Sequence, residues 1–182
     1  MKRLVLLLAL GALLAGCGSS RTPTTTATTA AVPDPAAAMR ALLGGSTSVG
    51  GSVRTLYQGS TWAVVQATSL NQARAVAFRL VGGHWVADRS GRVKLKILGP
   101  QPGATASKTP QVAIEFSSKL PFVESAIWVD GTEVLEKGGG SPTNGTIYGA
   151  PAHPLKPGTH VAVGYARTVA TGSAVAWTFK VP

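Results

Sequence analysis

Acidic residues, cysteine and histidine are all scarce in this chain. Its 182 residues hold one Cys, three His and only 7 Asp and Glu against 17 Lys and Arg, a formal net charge of +10. The lone Cys17 excludes an internal disulfide and a thiolate metal site, so a domain built from this chain is stabilised by its core without either. Few carboxylates leave little material for a hydrolase that works through a facing pair of acids. His84, His153 and His160 show no i, i+4 spacing of a helical metal site. His153 and His160 could meet across a loop and a strand with Glu133 as third ligand. Solvated histidines are the plainer account, and neither a metal nor another cofactor is expected. No Gly-x-Ser-x-Gly turn presents a nucleophile, and Gly138-Gly139-Gly140 lacks the Lys-Ser/Thr ending of a phosphate loop. The chain is therefore read as non-enzymatic, with no catalytic residue.

Long hydrophobic runs are lacking too. The run from Leu4 to Ala15 is about a dozen residues, short of the roughly 20 that a membrane-spanning helix needs. It follows Lys2 and Arg3, the order of a charged n-region and an apolar h-region in a signal peptide. Leu14-Ala15-Gly16-Cys17 comes next and resembles the lipobox of bacterial lipoproteins. The resemblance implies cleavage before Cys17, which would become the lipidated N-terminus and leave 166 residues. It also implies a secreted lipoprotein held at the extracytoplasmic face of the cell membrane. Residues 1–16 are then the signal peptide and residues 17–33 the lipidated Cys and a Thr-rich tether. Arg21-Thr22-Pro23-Thr24-Thr25-Thr26-Ala27-Thr28-Thr29 has no large apolar residue with which to offset the entropy of ordering. Such a tether reaches on the order of 25 Å at the root-mean-square level.

Residues 34–98 read as a small basic α+β segment. Asp34 can cap a short helix with Pro35 in its first turn and Gly44 at its close, placing Met39, Leu42 and Leu43 on one core face. An antiparallel meander is expected to follow. Its pieces are Ser52 to Tyr57 (with Val53, Thr55 and Tyr57 on one side), Trp62 to Ala67, and Val76 to Val81, which turns through Gly82-Gly83 into His84 to Ala87. Arg92 to Leu98 closes it, with Val93, Leu95 and Ile97 buried and Arg92, Lys94 and Lys96 on the other face. Trp62-Ala63-Val64 and Ala77-Phe78-Arg79-Leu80-Val81-Gly82-Gly83-His84-Trp85 resemble a small domain of exported actinobacterial proteins.

Between Arg40 and Lys96 eight basic residues face a single acid, Asp88. From Gly99 onward six bases face five acids. The basic part lies next to the tether. Two readings stand open: a solvated face, or contact through Arg92, Lys94 and Lys96 with anionic lipid or an anionic wall polymer. Nucleic acid is not an expected partner, because the chain carries an export signal and no aromatic-basic binding motif.

Residues 99–182 read as a β-sandwich with short strands, frequent turn signals and no helix signal. The candidate strands are Val112 to Ser117, Ala126 to Val129, Thr132 to Leu135, Thr146 to Tyr148, Thr159 to Arg167 and Ala174 to Val181. Asp130-Gly131 is a hairpin turn, and Lys137 to Gly145 reads as a loop. Val161, Val163 and Tyr165 form the inward set of one strand, and Val175, Trp177, Phe179 and Val181 that of the last. Pro100-Gln101-Pro102-Gly103-Ala104, Glu115-Phe116-Ser117, Ile127-Trp128-Val129-Asp130-Gly131 and Leu155-Lys156-Pro157-Gly158-Thr159, in that order, resemble a bacterial immunoglobulin-like domain of surface and cell-wall proteins. That resemblance implies a spacer, adhesive or protein-binding module, and no single ligand.

The whole chain is thus expected to be mainly β, a helix-plus-meander segment followed by an immunoglobulin-like sandwich. Its expected function is that of a membrane-anchored interaction or spacer module in the cell envelope, with another envelope protein as a further candidate partner. The alternative is a glycan- or small-ligand-binding accessory lipoprotein. Trp62, Trp85, Trp128 and Trp177 bear on the choice, since each is either core or part of an exposed sugar-stacking pair.

Overall fold

The computed structural model describes residues 32–44, 51–69 and 72–182. Cys17, the signal peptide and nearly all of the tether lie outside the described residues.

Helix α1, Pro35–Leu42, starts where the sequence places it: the Asp34 side chain accepts the Ala36 N–H at 2.9 Å, and Pro35 occupies the first turn. The buried face is Ala36 and Met39, with Leu43 packed beside them, whereas Leu42 is exposed. The i, i+3, i+7 stripe therefore runs one step away from the expected Met39, Leu42, Leu43 face. The helix covers one side of an antiparallel sheet of β1 (Ser52–Gln58), β2 (Trp62–Ser69), β3 (Gln72–Val81) and β4 (His84–Ala87), in that order. This is the expected meander. A bulge between Thr55 and Tyr57 reverses the alternation of β1. Val53 packs toward the helix, while Leu56 and Tyr57 pack on the opposite side, so Val53 and Tyr57 do not share a face.

The remaining strands form two further sheets. They are β5 (Lys94–Gly99), β6 (Val112–Ser117), β7 (Phe122–Val129), β8 (Thr132–Glu133), β9 (Leu135–Ser141), β10 (Asn144–Ala150), β11 (Gly158–Thr168) and β12 (Gly172–Val181). One sheet has the order β5-β6-β10-β9 and the other β12-β11-β7-β8. These are the ABED and GFC orders of an immunoglobulin-like sandwich, the second extended by one short strand. After β5 the chain crosses sheets: Thr105 bridges Lys180 in parallel, and Ala104 and Ala106 exchange backbone hydrogen bonds with Lys180.

Two expectations change here. Lys94–Gly99 does not close the meander but pairs with β6 as the first strand of the sandwich, so Arg92, Lys94 and Lys96 belong to that part of the fold. Its alternation fits either sheet, and only the long-range pairing decides. The glycine run expected to loop is instead β9, paired residue by residue with β10. Close approach explains two of the three glycines: a Cβ on Gly138 would lie 2.6 Å from the Thr146 carbonyl oxygen and one on Gly140 would run into the Asn144 backbone, whereas Gly139 faces open space.

Three apolar layers separate α1, the meander sheet, the β12-β11-β7-β8 sheet and the β5-β6-β10-β9 sheet. Ala63, Val65, Ala67, Phe78 and Trp85 face the helix. Trp62, Val64 and Ala77 face Ala126, Trp128, Val163 and Tyr165. Ile114, Phe116 and Ile147 face Ile127, Val129, Trp177, Phe179 and Val181. Strands β2, β7 and β11 are thus buried on both sides, which is why Trp62 to Val65 and Ala126 to Val129 are uninterrupted apolar runs. The expected inward set of β12 is correct. On β11 the residues that meet β6 across the sandwich are Ala162, Gly164 and Ala166, while Val163 and Tyr165 pack against the meander sheet.

Candidate functional site: a cationic cleft at one end of the sandwich

Val93 is the pin of this site. It is 3% exposed in the sandwich core, so its neighbours Arg92 and Lys94 are turned outward as the chain enters β5. Lys94 pairs with Ser117, the last residue of β6, which brings it beside the loop Ser118 to Pro121. That loop is held by Ser118 N–H on the Thr143 carbonyl at 2.9 Å and by Phe122 N–H on the Pro142 carbonyl at 2.8 Å. Phe122 packs edge-on against Phe116 with 4.4 Å between ring centroids.

The third wall is the turn from β11 to β12. Thr168 and Thr171 are almost fully buried there; the Thr168 hydroxyl accepts the N–H groups of Ala170 and Thr171 at 3.2 and 3.1 Å. Asp88, in the connection after β4, ties this turn down. Its Oδ2 accepts the Gly172 N–H and its Oδ1 the Ser90 N–H, both at 2.9 Å, while the Ser90 and Thr171 hydroxyls share a 2.5 Å hydrogen bond. Burial works to raise the Asp88 pKa, but these donors outweigh it and hold the carboxyl below its ordinary value.

Together the three walls enclose an open cleft of about 650 Å³. Arg92, Lys94 and Lys119 supply its charge and Ser117 and Ser118 its hydroxyls, Thr171 lines it with its own hydroxyl engaged by Ser90, and no carboxylate lines it. Guanidinium, ammonium and hydroxyl groups are all donors to oxyanions. The cleft therefore suits a phosphate, sulfate or carboxylate group. Of the three basic residues singled out by sequence, Arg92 and Lys94 line it. Lys96 points elsewhere, 3.6 Å from Glu115 in an exposed ion pair, the kind worth 0–1 kcal/mol. Lys119 was missed because no local pattern links a loop residue to a strand that ends twenty residues earlier, at Gly99.

The other candidate residues are occupied internally. All four tryptophans are buried, at 3–7% exposure, so none offers a sugar-stacking surface. The Trp85 indole N–H donates to the Pro33 carbonyl at 2.6 Å and fixes the chain where it enters the folded unit. His160 is buried, with Nδ1 2.7 Å from Asp130 and Nε2 2.8 Å from the Lys156 carbonyl. Both nitrogens are thereby engaged, and His153 and His84 are exposed. Among the described residues no group of three His, Cys, Asp or Glu side chains could hold a metal ion. His160 also stands at the far end of β11 from Thr168, about 26 Å away along an extended strand.

A second polar cluster lies at the seam between the meander sheet and the sandwich, and sequence reading did not anticipate it. The Arg167 Nε donates to Glu124, and the guanidinium sits 6.0 Å from the Trp62 ring centroid. Burial and then the Glu124 carboxylate push the Tyr57 phenol up. Burial likewise pushes up Tyr165, whose hydroxyl has no hydrogen-bond partner among the described residues. The groups of this cluster join the two layers.

No family model and no curated protein matches the chain. Among solved structures it is similar over 48% of its length to PcoC, a copper resistance protein from Escherichia coli, at 18% identity, 99% coverage of that chain and a TM-score of 0.31. It is similar over 50% to a chain of the titin M10–obscurin-like 1 immunoglobulin complex (14% identity, 95% of that chain, TM-score 0.32) and over 48% to titin M4 (15%, 95%, 0.33). Nothing about ligands follows from likenesses this slight. Among the described residues no helix is long and apolar enough to cross a membrane.

Proposed function

We propose that this chain is a non-enzymatic interaction module of a bacterial cell envelope, tethered through lipid on Cys17 at the extracytoplasmic face of the membrane. Its cationic cleft is the contact surface. The observation that carries the reading is the pairing of an open cleft holding Arg92, Lys94 and Lys119 without a carboxylate with a body whose histidine, tryptophans and seam cluster are engaged in packing. The lipobox-like Leu14-Ala15-Gly16-Cys17 and the Thr-rich stretch that ends just before the folded unit support the anchor.

A second reading draws on the same cleft. A volume of about 650 Å³ lies in the range of small-molecule sites, and a lining of cations and hydroxyls suits an acidic sugar rather than a neutral one. Titration with acidic and neutral wall oligosaccharides separates this reading from plain surface contact, since only a ligand pocket distinguishes among acidic sugars of equal charge.

The anchor is tested by growing producing cells with a clickable fatty acid. The wild-type chain takes up the label and Cys17→Ser does not. Label on both, or on neither, contradicts the anchor.

A further inference from the structure

We propose that the cleft end of the sandwich docks onto an anionic lipid surface, with Arg92, Lys94 and Lys119 around a lipid phosphodiester and Leu120, Val123 and Val169 entering the interface. The inference rests on the reading of the chain as membrane-tethered and adds a second, folded contact with the same membrane.

The apolar side chains are the new observation. Leu120, Val123 and Val169 are 39%, 50% and 73% exposed. Leu120 lines the cleft. Arg167 pairs with Glu124 and Thr168 with Phe122, which leaves Val123 as the bulged residue, pushed outward beside the β11–β12 turn. Val169 follows Thr168 directly and caps that turn. Three exposed hydrophobes thus gather at the end of the sandwich that also carries the three cations. The acids of this end are already engaged: Asp88 holds the Ser90 and Gly172 N–H groups, and Glu124 holds Arg167.

Charge and polarity select the occupant. Residues 1–31 contain no Asp or Glu, so they have no carboxylate for the cleft. A second copy, without Lys2 and Arg3 once the chain begins at Cys17, carries 10 − 2 = +8 and is repelled. A soluble anionic polymer would satisfy the cations but offers no apolar phase to the three hydrophobes. An anionic bilayer satisfies both, as interfacial segments do by combining basic residues at headgroups with apolar side chains at the acyl boundary. Each basic residue close to such a surface strengthens binding about fivefold, so neutralising all three should weaken docking on the order of 100-fold, and reversing them to Glu should weaken it further.

Cys17 is the only cysteine, which makes a site-specific reporter simple. The full chain carrying Val169→Cys is purified from producing cells, labelled with an environment-sensitive maleimide dye, and reconstituted into vesicles of phosphatidylcholine alone or with phosphatidylglycerol. One dye on a chain whose intact mass still includes Cys17 means that Cys17 is blocked by lipid; two dyes, or a chain that lacks Cys17, mean that the anchor reading has failed. Docking is judged separately, from the difference between Val169→Cys and Ala152→Cys, a label on the β10–β11 connection at the other end of the sandwich. The expected result is a blue shift at 169 but not at 152, in phosphatidylglycerol vesicles only, which disappears when Arg92, Lys94 and Lys119 are changed to Glu in a chain of unaltered circular dichroism. Equal shifts at both sites, no shift, or a shift that survives charge reversal overturns docking. A shift produced without vesicles by a soluble glycerophosphate polymer or by inorganic phosphate, and matched by none in vesicles, overturns the lipid source and assigns the cleft to a soluble phosphate ligand.

Discussion

The carboxylate of Asp130 holds two groups of β11 at once: Oδ2 lies 2.7 Å from Nδ1 of His160, and Oδ1 accepts the N–H of Val161 at 2.9 Å. The other ring nitrogen of His160 faces the Lys156 carbonyl at 2.8 Å. Acceptors on both sides favour the imidazolium. Burial opposes it, yet the Asp130 and Lys156 acceptors prevail and raise the His160 pKa above its ordinary 6.5.

A raised folded-state pKa sets the sign of a pH effect. The stability contributed by His160 is fully present below pH 6.5 and is lost as pH rises through the higher folded value. Urea denaturation of wild-type and His160→Gln between pH 6 and 9 checks this. The wild type should lose stability across the window, and the variant should show a flatter profile.

Glu136 acts in a neighbouring window. Burial, with the nearby Glu133 charge assisting against a backbone hydrogen bond from Ile127, pushes its pKa from 4.5 up to about 7, and Oε1 has no partner among the described residues. The folded state keeps this proton longer than the unfolded one, so stability falls as pH rises from 4.5 to about 7. Glu136→Gln should leave stability near pH 4 unchanged and raise it by about 1–2 kcal/mol at pH 8, less than the whole shift implies because the side chain is partly solvated. Thermal melts at the two pH values read the difference.

Asp88 gives the opposite dependence. Its folded pKa lies below the ordinary 3.8, so its contribution is present above that value and is lost as pH falls through the folded one. Asp88→Ala frees the N–H groups of Ser90 and Gly172 and should destabilise the chain by about 1–3 kcal/mol at pH 7. The cleft wall at Thr171 loosens with it, which faster amide exchange at Thr171 and Gly172 would report.

Packing inside the sandwich makes a sharper prediction. A Cβ on Gly164 would meet Cδ1 and Cγ2 of Ile114, each at 2.8 Å. Gly164→Ala should cost about 1–3 kcal/mol by overpacking. Ile114→Val, which removes the Cδ1 methyl, should recover part of that loss in the double variant, whereas additive losses would show that the contact is not the cause.

How far the fold was legible depended on how many faces a strand buries. Val175, Trp177, Phe179 and Val181 were read correctly because Ala174 and Ala176 opposite them are small, and the large residues mark the core of the sandwich. The same reasoning failed on β11. Its large residues, Val163 and Tyr165, fill a second apolar layer against the meander sheet, and Gly164 faces the sandwich core because Ile114 leaves no room for more. Alternation tells that two faces differ, not what each face meets. Gly138 looked like loop because its reason for being glycine is the backbone of Thr146 on the next strand. The cleft was half legible for a similar reason. Arg92 and Lys94 stand out as a charged strand face, while Lys119 and Thr171 come from distant loops that only strand pairing brings together.

The most direct test of the central claim is the intact mass of the chain extracted from membranes of the producing cell. An anchored envelope module predicts a polypeptide that begins at Cys17 and carries the added mass of lipid. A chain that retains Met1, or one that begins elsewhere with an unmodified Cys17 or none, would contradict it.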